Sequence, residues 1–212
     1  MNTPYIHPSV ITAKRIFDIV GAGVGLLLTL PLFPLIALAI KLTSPGPVLF
    51  RQLRVGRMWP DHTELLYMIK FRSMRVDAES SSGPVWAQKN DPRLTAIGIF
   101  LRKTRLDELP QFINVLKGEM SLIGPRPERP GICDKLEMAI PFYIERTYGV
   151  APGITGLAQV NQGYDASLDD VKSKLAYDLA YSLALSHPRH WLLMDMGIAL
   201  RTVSVMVLRR GQ

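Results

Sequence analysis

Residues 19–40, IVGAGVGLLLTLPLFPLIALAI, carry no charge, and their reading decides what kind of fold this chain adopts. As one straight helix these roughly 22 positions would reach about 33 Å, enough to cross the hydrocarbon core of a bilayer. Two features argue against a crossing. Lys14 and Arg15 precede the stretch, and Lys41, Arg51 and Arg54 follow it, so the positive-inside tendency draws both flanks to the cytoplasmic side. Pro31 and Pro34 lie in its middle and break the backbone ladder there. Limbs over residues 16–30 and 32–42 would be about 22 Å and about 16 Å long, each short of a core of roughly 30 Å. A helix that enters, bends at Pro31 and returns fits these lengths. A kinked single span is the competing reading. A signal peptide is not, because the apolar region is too long and no cleavage site precedes Lys41.

Working outward, 212 residues make one domain with room for a real core. Hydrophobic residues reach 48% and the mean hydropathy is +0.14, high for a soluble chain and low for one with several spans. A net charge of +7 points to an anionic partner: nucleic acid, acidic headgroups or phosphorylated substrates. The basic residues lack interleaved stacking aromatics, which argues against nucleic acid. The lone Cys133 excludes an intrachain disulfide framework and suits a reducing compartment. His187 and His190 stand three apart with Pro188 between them and no completing ligand, so zinc is not expected.

The chemistry concentrates in Arg102-Lys103-Thr104-Arg105-Leu106-Asp107-Glu108-Leu109-Pro110. Pro110 belongs in a first helical turn. The apolar positions Phe112, Ile113, Val115 and Leu116 have helical spacing and stop at Gly118, a fitting C′ residue. Asp107 and Glu108 are therefore expected at a helix N-terminus, where free N–H groups and the macrodipole favour negative charge. Two carboxylates among arginines suit phosphate chemistry with Mg²⁺, which prefers hard oxygen ligands and bridges carboxylates to phosphates. The plain alternative is an ordinary acidic first turn paired with surface arginines. Arg126 sits between Pro125 and Pro127, which stiffen the backbone around a guanidinium whose fork matches phosphate or uracil oxygens. Lys70 and Arg72 flank Phe71 in an extended segment and share one face, as candidates for phosphate binding.

The rest reads as mainly α with a small β element. Strands are expected around Val48-Leu49-Phe50 and Leu65-Leu66-Tyr67-Met68-Ile69, and a loop over residues 77–92. Helices are expected over 128–148, through Val171, Leu175, Leu179 and Leu183 as a core face, and over 191–208. That last helix, ending at Arg209 and Arg210, reads either as interfacial or as a buried core helix.

Asp91-Pro92-Arg93, the acidic pair, Asn114 to Ser121, Gly124-Pro125-Arg126-Pro127 and Pro152-Gly153-Ile154-Thr155-Gly156 form an ordered series. Upstream stand Ser44-Pro45-Gly46-Pro47-Val48 and Lys70-Phe71-Arg72-Ser73-Met74. The series resembles the bacterial sugar transferases, small membrane-embedded phosphoglycosyl transferases. The resemblance implies a monotopic protein: a re-entrant membrane helix in residues 1–45, then a compact cytoplasmic catalytic domain with interfacial helices in 46–212. It implies transfer of a sugar phosphate from a UDP-sugar to polyprenyl (undecaprenyl) phosphate at the bacterial inner membrane. Asp107 would be the nucleophile that holds the sugar phosphate and releases UMP. Glu108 would share Mg²⁺ or manage charge, and Arg102 would contact the phosphate region. Family members break the helix near a Ser-Pro pair; the aligned pair here is Leu30-Pro31, without the serine's hydroxyl. Gly153 and Gly156 are read as turn-forming, and Asp18, beside Arg15, as a salt-bridge partner or an anchor for the membrane helix. The alternative function is a basic membrane-anchored protein that binds anionic lipid or nucleic acid without catalysis. The sequence is compatible with a homo-oligomer and does not specify one.

Overall fold

The structure, a computed structural model, describes residues 5–79, 91–162 and 167–208. Most of the loop expected over 77–92, and Arg209 and Arg210, lie outside them. Helix α1 (Pro8–Thr29) opens with Pro8 at its first position and His7 as its cap. Helix α2 (Leu32–Thr43) follows after a 61° bend at Leu30 and Pro31. Pro31 supplies no N–H to the turn before it, and the ladder fails there. Thr29 makes a side-chain bond of the kind a serine would, its hydroxyl donating to the Gly25 carbonyl at 2.7 Å. No single helix among the described residues is long and apolar enough to cross a membrane; the bent pair passes that test only together. The first limb starts at Pro8 rather than at residue 16. Its added turns pack against the rest of the molecule, where Val10 is fully buried beside Tyr181, Leu185 and Trp191.

Strands β1 (Leu49–Met58) and β2 (Thr63–Phe71) form an antiparallel hairpin with Phe50 opposite Lys70 and Leu53 opposite Tyr67. It is longer than its apolar segments suggested, because polar Arg51, Gln52, Arg54 and Thr63 also join the ladder. Leu66 and Met68 bury one face against Ala22 of α1, and Phe71 packs with Ile36 and Ile40 of α2. The inner sides of the bent pair are thus part of the packing around the hairpin, while Leu27, Leu28, Leu35 and Leu42 point outward and exposed.

Helix α3 (Ala96–Thr104) is capped by Thr95. It ends at Arg105, which holds a left-handed conformation at φ 59°, one that L-residues other than Gly, Asn and Asp seldom adopt. A 3-10 turn (Leu106–Glu108) and α4 (Gln111–Lys117) follow, with Gly118 at φ 86° closing α4 as expected. The acids therefore stand ahead of the helix, not in its first turn. The amides of Glu108, Leu109, Phe112 and Ile113 are already bonded to carbonyls three residues back. Asn114 is wholly buried. It accepts from the Ile69 amide at 3.0 Å and donates to the Tyr67 carbonyl at 2.9 Å, fastening α4 to the free edge of β2.

Strand β3 (Ser121–Ile123) pairs in parallel with β4 (Gly153–Thr155). The helix expected over 128–148 is split into α5 (Pro130–Ala139) and a 3-10 turn (Tyr143–Thr147). Pro141 explains the split, since it drives Ile140 out of the helical region to ψ 94°. Helices α6 (Leu157–Asn161), α7 (Leu168–Ala184) and α8 (Pro188–Leu208) complete the chain. On α7 the buried face is Val171, Asp178, Tyr181 and Ser182, whereas Leu179 and Leu183 are exposed. Steps of four residues advance about 40° each on a 3.6-residue helix, so the leucine series walks off the core.

Candidate active site

The 3-10 turn, the end of β2, the last turn of α3 and the segment after β3 meet around a cavity of about 860 Å³. Lys70, Arg72, Arg102, Asp107, Glu108 and Arg126 all line it, as do Arg54, Arg105 and Arg129. Cations outnumber acids along the wall, which suits a ligand with several phosphate charges.

Glu108 is the hub. Its Oε1 accepts from Lys70 Nζ at 2.8 Å and from Arg126 Nη2 at 3.1 Å. Burial alone would push its carboxyl up, but Lys70, Arg126 and Arg105 outweigh it and hold Glu108 well below the usual carboxylate range. Asp107 is buried as well, only 6% of it exposed, but its Oδ1 has no hydrogen-bond partner among the described residues. Burial raises its carboxyl above the ordinary value, opposed by Lys70, Arg102 and Arg105 and reinforced by Glu108. Two adjacent carboxyls driven apart in this way have separate jobs available to them: one a fixed counter-charge, the other a basic, unsatisfied oxygen.

The donor set fits a magnesium ion. Among the described residues no group of three or more His, Cys, Asp or Glu could hold a metal on its own. Mg²⁺, however, commonly takes one or two carboxylates and fills the remaining positions with water and substrate phosphate. The buried, unbonded Asp107 Oδ1 beside Glu108 offers that kind of partial shell.

Arg126 lies on irregular backbone, yet its frame is fixed. Four consecutive carbonyls are each held by a different donor: Pro125 by the Gly153 amide (2.9 Å), Arg126 by Arg146 Nη2 (2.8 Å), Pro127 by Arg54 Nη1 (3.0 Å) and Glu128 by the Val55 amide (2.8 Å). Pro125 and Pro127 are not among the described lining residues and act on the site through this frame. Gly153 and Gly156 work by close approach: a Cβ on Gly153 would stand 2.1 Å from the Gly124 amide nitrogen, and one on Gly156 2.2 Å from the Gly124 carbonyl oxygen. Arg146 is itself buried and bonded to Asp178 of α7 at 2.5 Å.

Arg72 lines the cavity, but its guanidinium donates to the carbonyls of Pro45 and, at 2.9 Å, Ser44. It ties the exit of α2 to β2, two residues from Lys70. Arg15 donates to the Val115 and Leu116 carbonyls at 2.6 and 2.7 Å. Asp18 accepts from the Ser121 hydroxyl at 2.9 Å and the Leu122 amide at 2.8 Å. The two do not form a salt bridge with one another. Each instead fastens α1 to an element beside the acidic pair. Cys133 is buried with its thiol pushed up to about 11, inert packing rather than a nucleophile. His187 and His190 are exposed.

Sequence reasoning passed over Arg54, Arg146 and Asp178. An arginine in a strand, like Arg54, or in a 3-10 turn, like Arg146, carries no local signal. Asp178 alone offered one, as an acid at a position where α7 needed a buried face.

Comparison with known proteins places the chain in a family. The profile of the bacterial sugar transferase family matches residues 9–209. A UDP-N-acetylgalactosamine-undecaprenyl-phosphate N-acetylgalactosaminephosphotransferase of Aeromonas hydrophila is 45% identical over 190 residues, 90% of this chain and 42% of that protein. A UDP-glucose:undecaprenyl-phosphate glucose-1-phosphate transferase of Escherichia coli K12 is 46% identical over 170 residues, 79% of this chain and 35% of its own length. Exopolysaccharide production protein PSS of Rhizobium leguminosarum is 42% identical over 205 residues, covering 94% of this chain and 96% of that one. The chain thus spans less than half of the first two relatives and nearly all of the third.

Proposed function

The chain belongs to the bacterial sugar transferase family, and on that premise we propose that it transfers a sugar phosphate from a UDP-sugar to undecaprenyl phosphate. The observation that carries this reading is the divided acidic pair: a buried Asp107 oxygen without a partner, next to a Glu108 locked to Lys70 and Arg126.

A covalent route follows from those residues. An Asp107 oxygen attacks the β-phosphorus of the UDP-sugar, and the bond from that phosphorus to the bridging oxygen breaks. Its electron pair leaves with UMP, and the sugar phosphate stays on Asp107 as an acyl phosphate. A phosphate oxygen of undecaprenyl phosphate then attacks the same phosphorus. The bond between that phosphorus and the Asp107 oxygen breaks, its electron pair returns to the carboxylate, and polyprenyl diphosphate sugar leaves. Lys70 and Arg126, oriented by Glu108, neutralise charge on the diphosphate, and Lys70, Arg102 and Arg105 oppose the upward push of burial on the Asp107 carboxyl. Bound between Asp107 and Glu108, Mg²⁺ would add charge neutralisation on the phosphates.

The bent α1–α2 pair supplies the setting. Residues 1–45 form the re-entrant membrane anchor and 46–212 the catalytic domain on the cytoplasmic face of the inner membrane. Exposed leucines along both limbs support this, and so does the capture of both limb ends, by Arg15 at one and Arg72 at the other.

Two measurements test the reading. Purified chain with Mg²⁺, undecaprenyl phosphate and a panel of UDP-sugars is expected to release UMP over many turnovers with at least one donor, and to do so beyond one equivalent only when the acceptor is present. Silence across the panel would end the proposal. A cysteine placed before Pro8 and one placed after Ser44 are both expected to resist a membrane-impermeant thiol reagent applied from the periplasm. Labelling of the N-terminal position alone would instead establish a single span.

A further inference from the structure

Helix α8 turns three faces to its surroundings. Successive residues lie about 100° apart, which places Trp191, Ile198 and Thr202 on one side. Trp191 and Ile198 are buried there, and Thr202 bonds Thr155 at 2.9 Å. Leu193, Met196, Leu200 and Val203 recur at helical spacing on a second side, all exposed. Arg201, Ser204 and Val205 form the third and line the cavity that contains Asp107. On the helical wheel Ser204 lies about 40° from Leu200, so the apolar stripe ends where the cavity wall begins.

Arg201 is fixed at that boundary. Its Nη1 donates to Asn161 Oδ1 at 2.7 Å, which joins the rim of α8 to the end of α6. At the other end of α8 the ring of Phe17 on α1, itself 57% exposed, packs edge-on against the buried Trp191 at 5.8 Å between centroids, which fastens the start of α8 to the membrane pair. The exposed apolar stripe along α8 leads to a cation at the mouth of the phosphate cavity.

A nucleotide sugar is polar throughout and has no use for such a surface. A long isoprenoid bearing a phosphate matches both of its parts, since exposed apolar stripes of this kind mark sites for apolar partners and a guanidinium fork matches phosphate. We propose that α8 is the acceptor's track: polyprenyl phosphate lays its tail along Leu193, Met196, Leu200 and Val203 and delivers its phosphate past Arg201 toward Asp107. The inference rests on the sugar-phosphate transfer reading and adds the place where the lipid substrate binds.

The experiment compares full-length protein with Arg201→Gln and Leu200→Gln. It measures KM for undecaprenyl phosphate, KM for the UDP-sugar, and flotation with phospholipid vesicles. Arg201→Gln is expected to raise the acceptor KM about tenfold, and Leu200→Gln severalfold, with much smaller changes in donor KM and with flotation retained. An unchanged acceptor KM in both variants overturns the track. So does an equal rise in donor KM, which would assign Arg201 to the nucleotide sugar. Loss of flotation in parallel with the KM change also overturns it, because the stripe would then be a plain membrane anchor. If the wild-type protein turns over no UDP-sugar at all, the transfer reading fails first and the track with it.

Discussion

Asp107→Asn is expected to reduce UMP release by about a thousandfold or more, the scale on which removal of a nucleophile acts. It is also expected to leave no radiolabel on the protein after brief exposure to sugar-labelled donor and an acid quench. The amide keeps the shape and the burial of the side chain but has no carboxylate to attack phosphorus. A labelled band from the wild-type protein, absent from the variant, would link the covalent step to this atom. Full turnover by the variant would remove Asp107 from the nucleophile's role.

The same substitution has a second expected consequence, opposite in sign. A carboxyl whose pKa is raised on folding, as burial raises that of Asp107, is disfavoured as an anion in the folded chain. Its ionisation therefore opposes folding at neutral pH, and that opposition disappears only below the ordinary carboxylate range, where folded and unfolded forms are both protonated. The asparagine variant should melt at or above the wild-type temperature at pH 7. This separates lost chemistry from lost structure: an inactive variant that also melts early would say nothing about the nucleophile.

Much of this arrangement was legible in the chain because it is local. The prolines at 31 and 34 within an uncharged run force a break, and the bend lies at Leu30 and Pro31. Gly118 ends α4 because only a residue at ease with positive φ can close it there. Lys70, Asp107, Glu108 and Arg126 were identified by residue type and by resemblance, and they do converge. What the sequence hid is what depends on distant partners. The left-handed Arg105, which turns the chain so that the acids face the cavity, looks like any arginine at a helix end. Such backbone strain persists only where surrounding structure over-determines it. The second sheet, β3 with β4, is three residues a side and carries no alternation to detect. The four carbonyls around Arg126 are held by donors from three other elements, a pattern visible only once those elements are packed.

Arg146 is the strongest test of that frame. Its guanidinium is buried, bonds Asp178 at 2.5 Å and the Arg126 carbonyl at 2.8 Å, and lies over the Tyr143 ring at 4.6 Å. Arg146→Met would leave Asp178, itself 3% exposed, as a buried acid without its counter-charge. Removing one partner of such a pair costs about 3–5 kcal/mol, so a large fall in melting temperature is expected, with activity lost through unfolding. Replacing both partners separates the two roles. Apolar substitution of an entire buried pair is often neutral or better, so Arg146→Met combined with Asp178→Leu should recover most of the stability. It cannot restore the donor to the Arg126 carbonyl. Arg126 would then sit in a looser loop, its grip on Glu108 and on substrate phosphate weakened. Loss of one charge-assisted hydrogen bond, worth about 1.5–3 kcal/mol, corresponds to a fall of roughly tenfold to a hundredfold in kcat/KM for the UDP-sugar. A double variant that is stable and fully active would show that Arg126 finds its position without this contact. One that is stable and slow would place Arg146 in the working geometry of the site, though no bond joins it to any reacting atom.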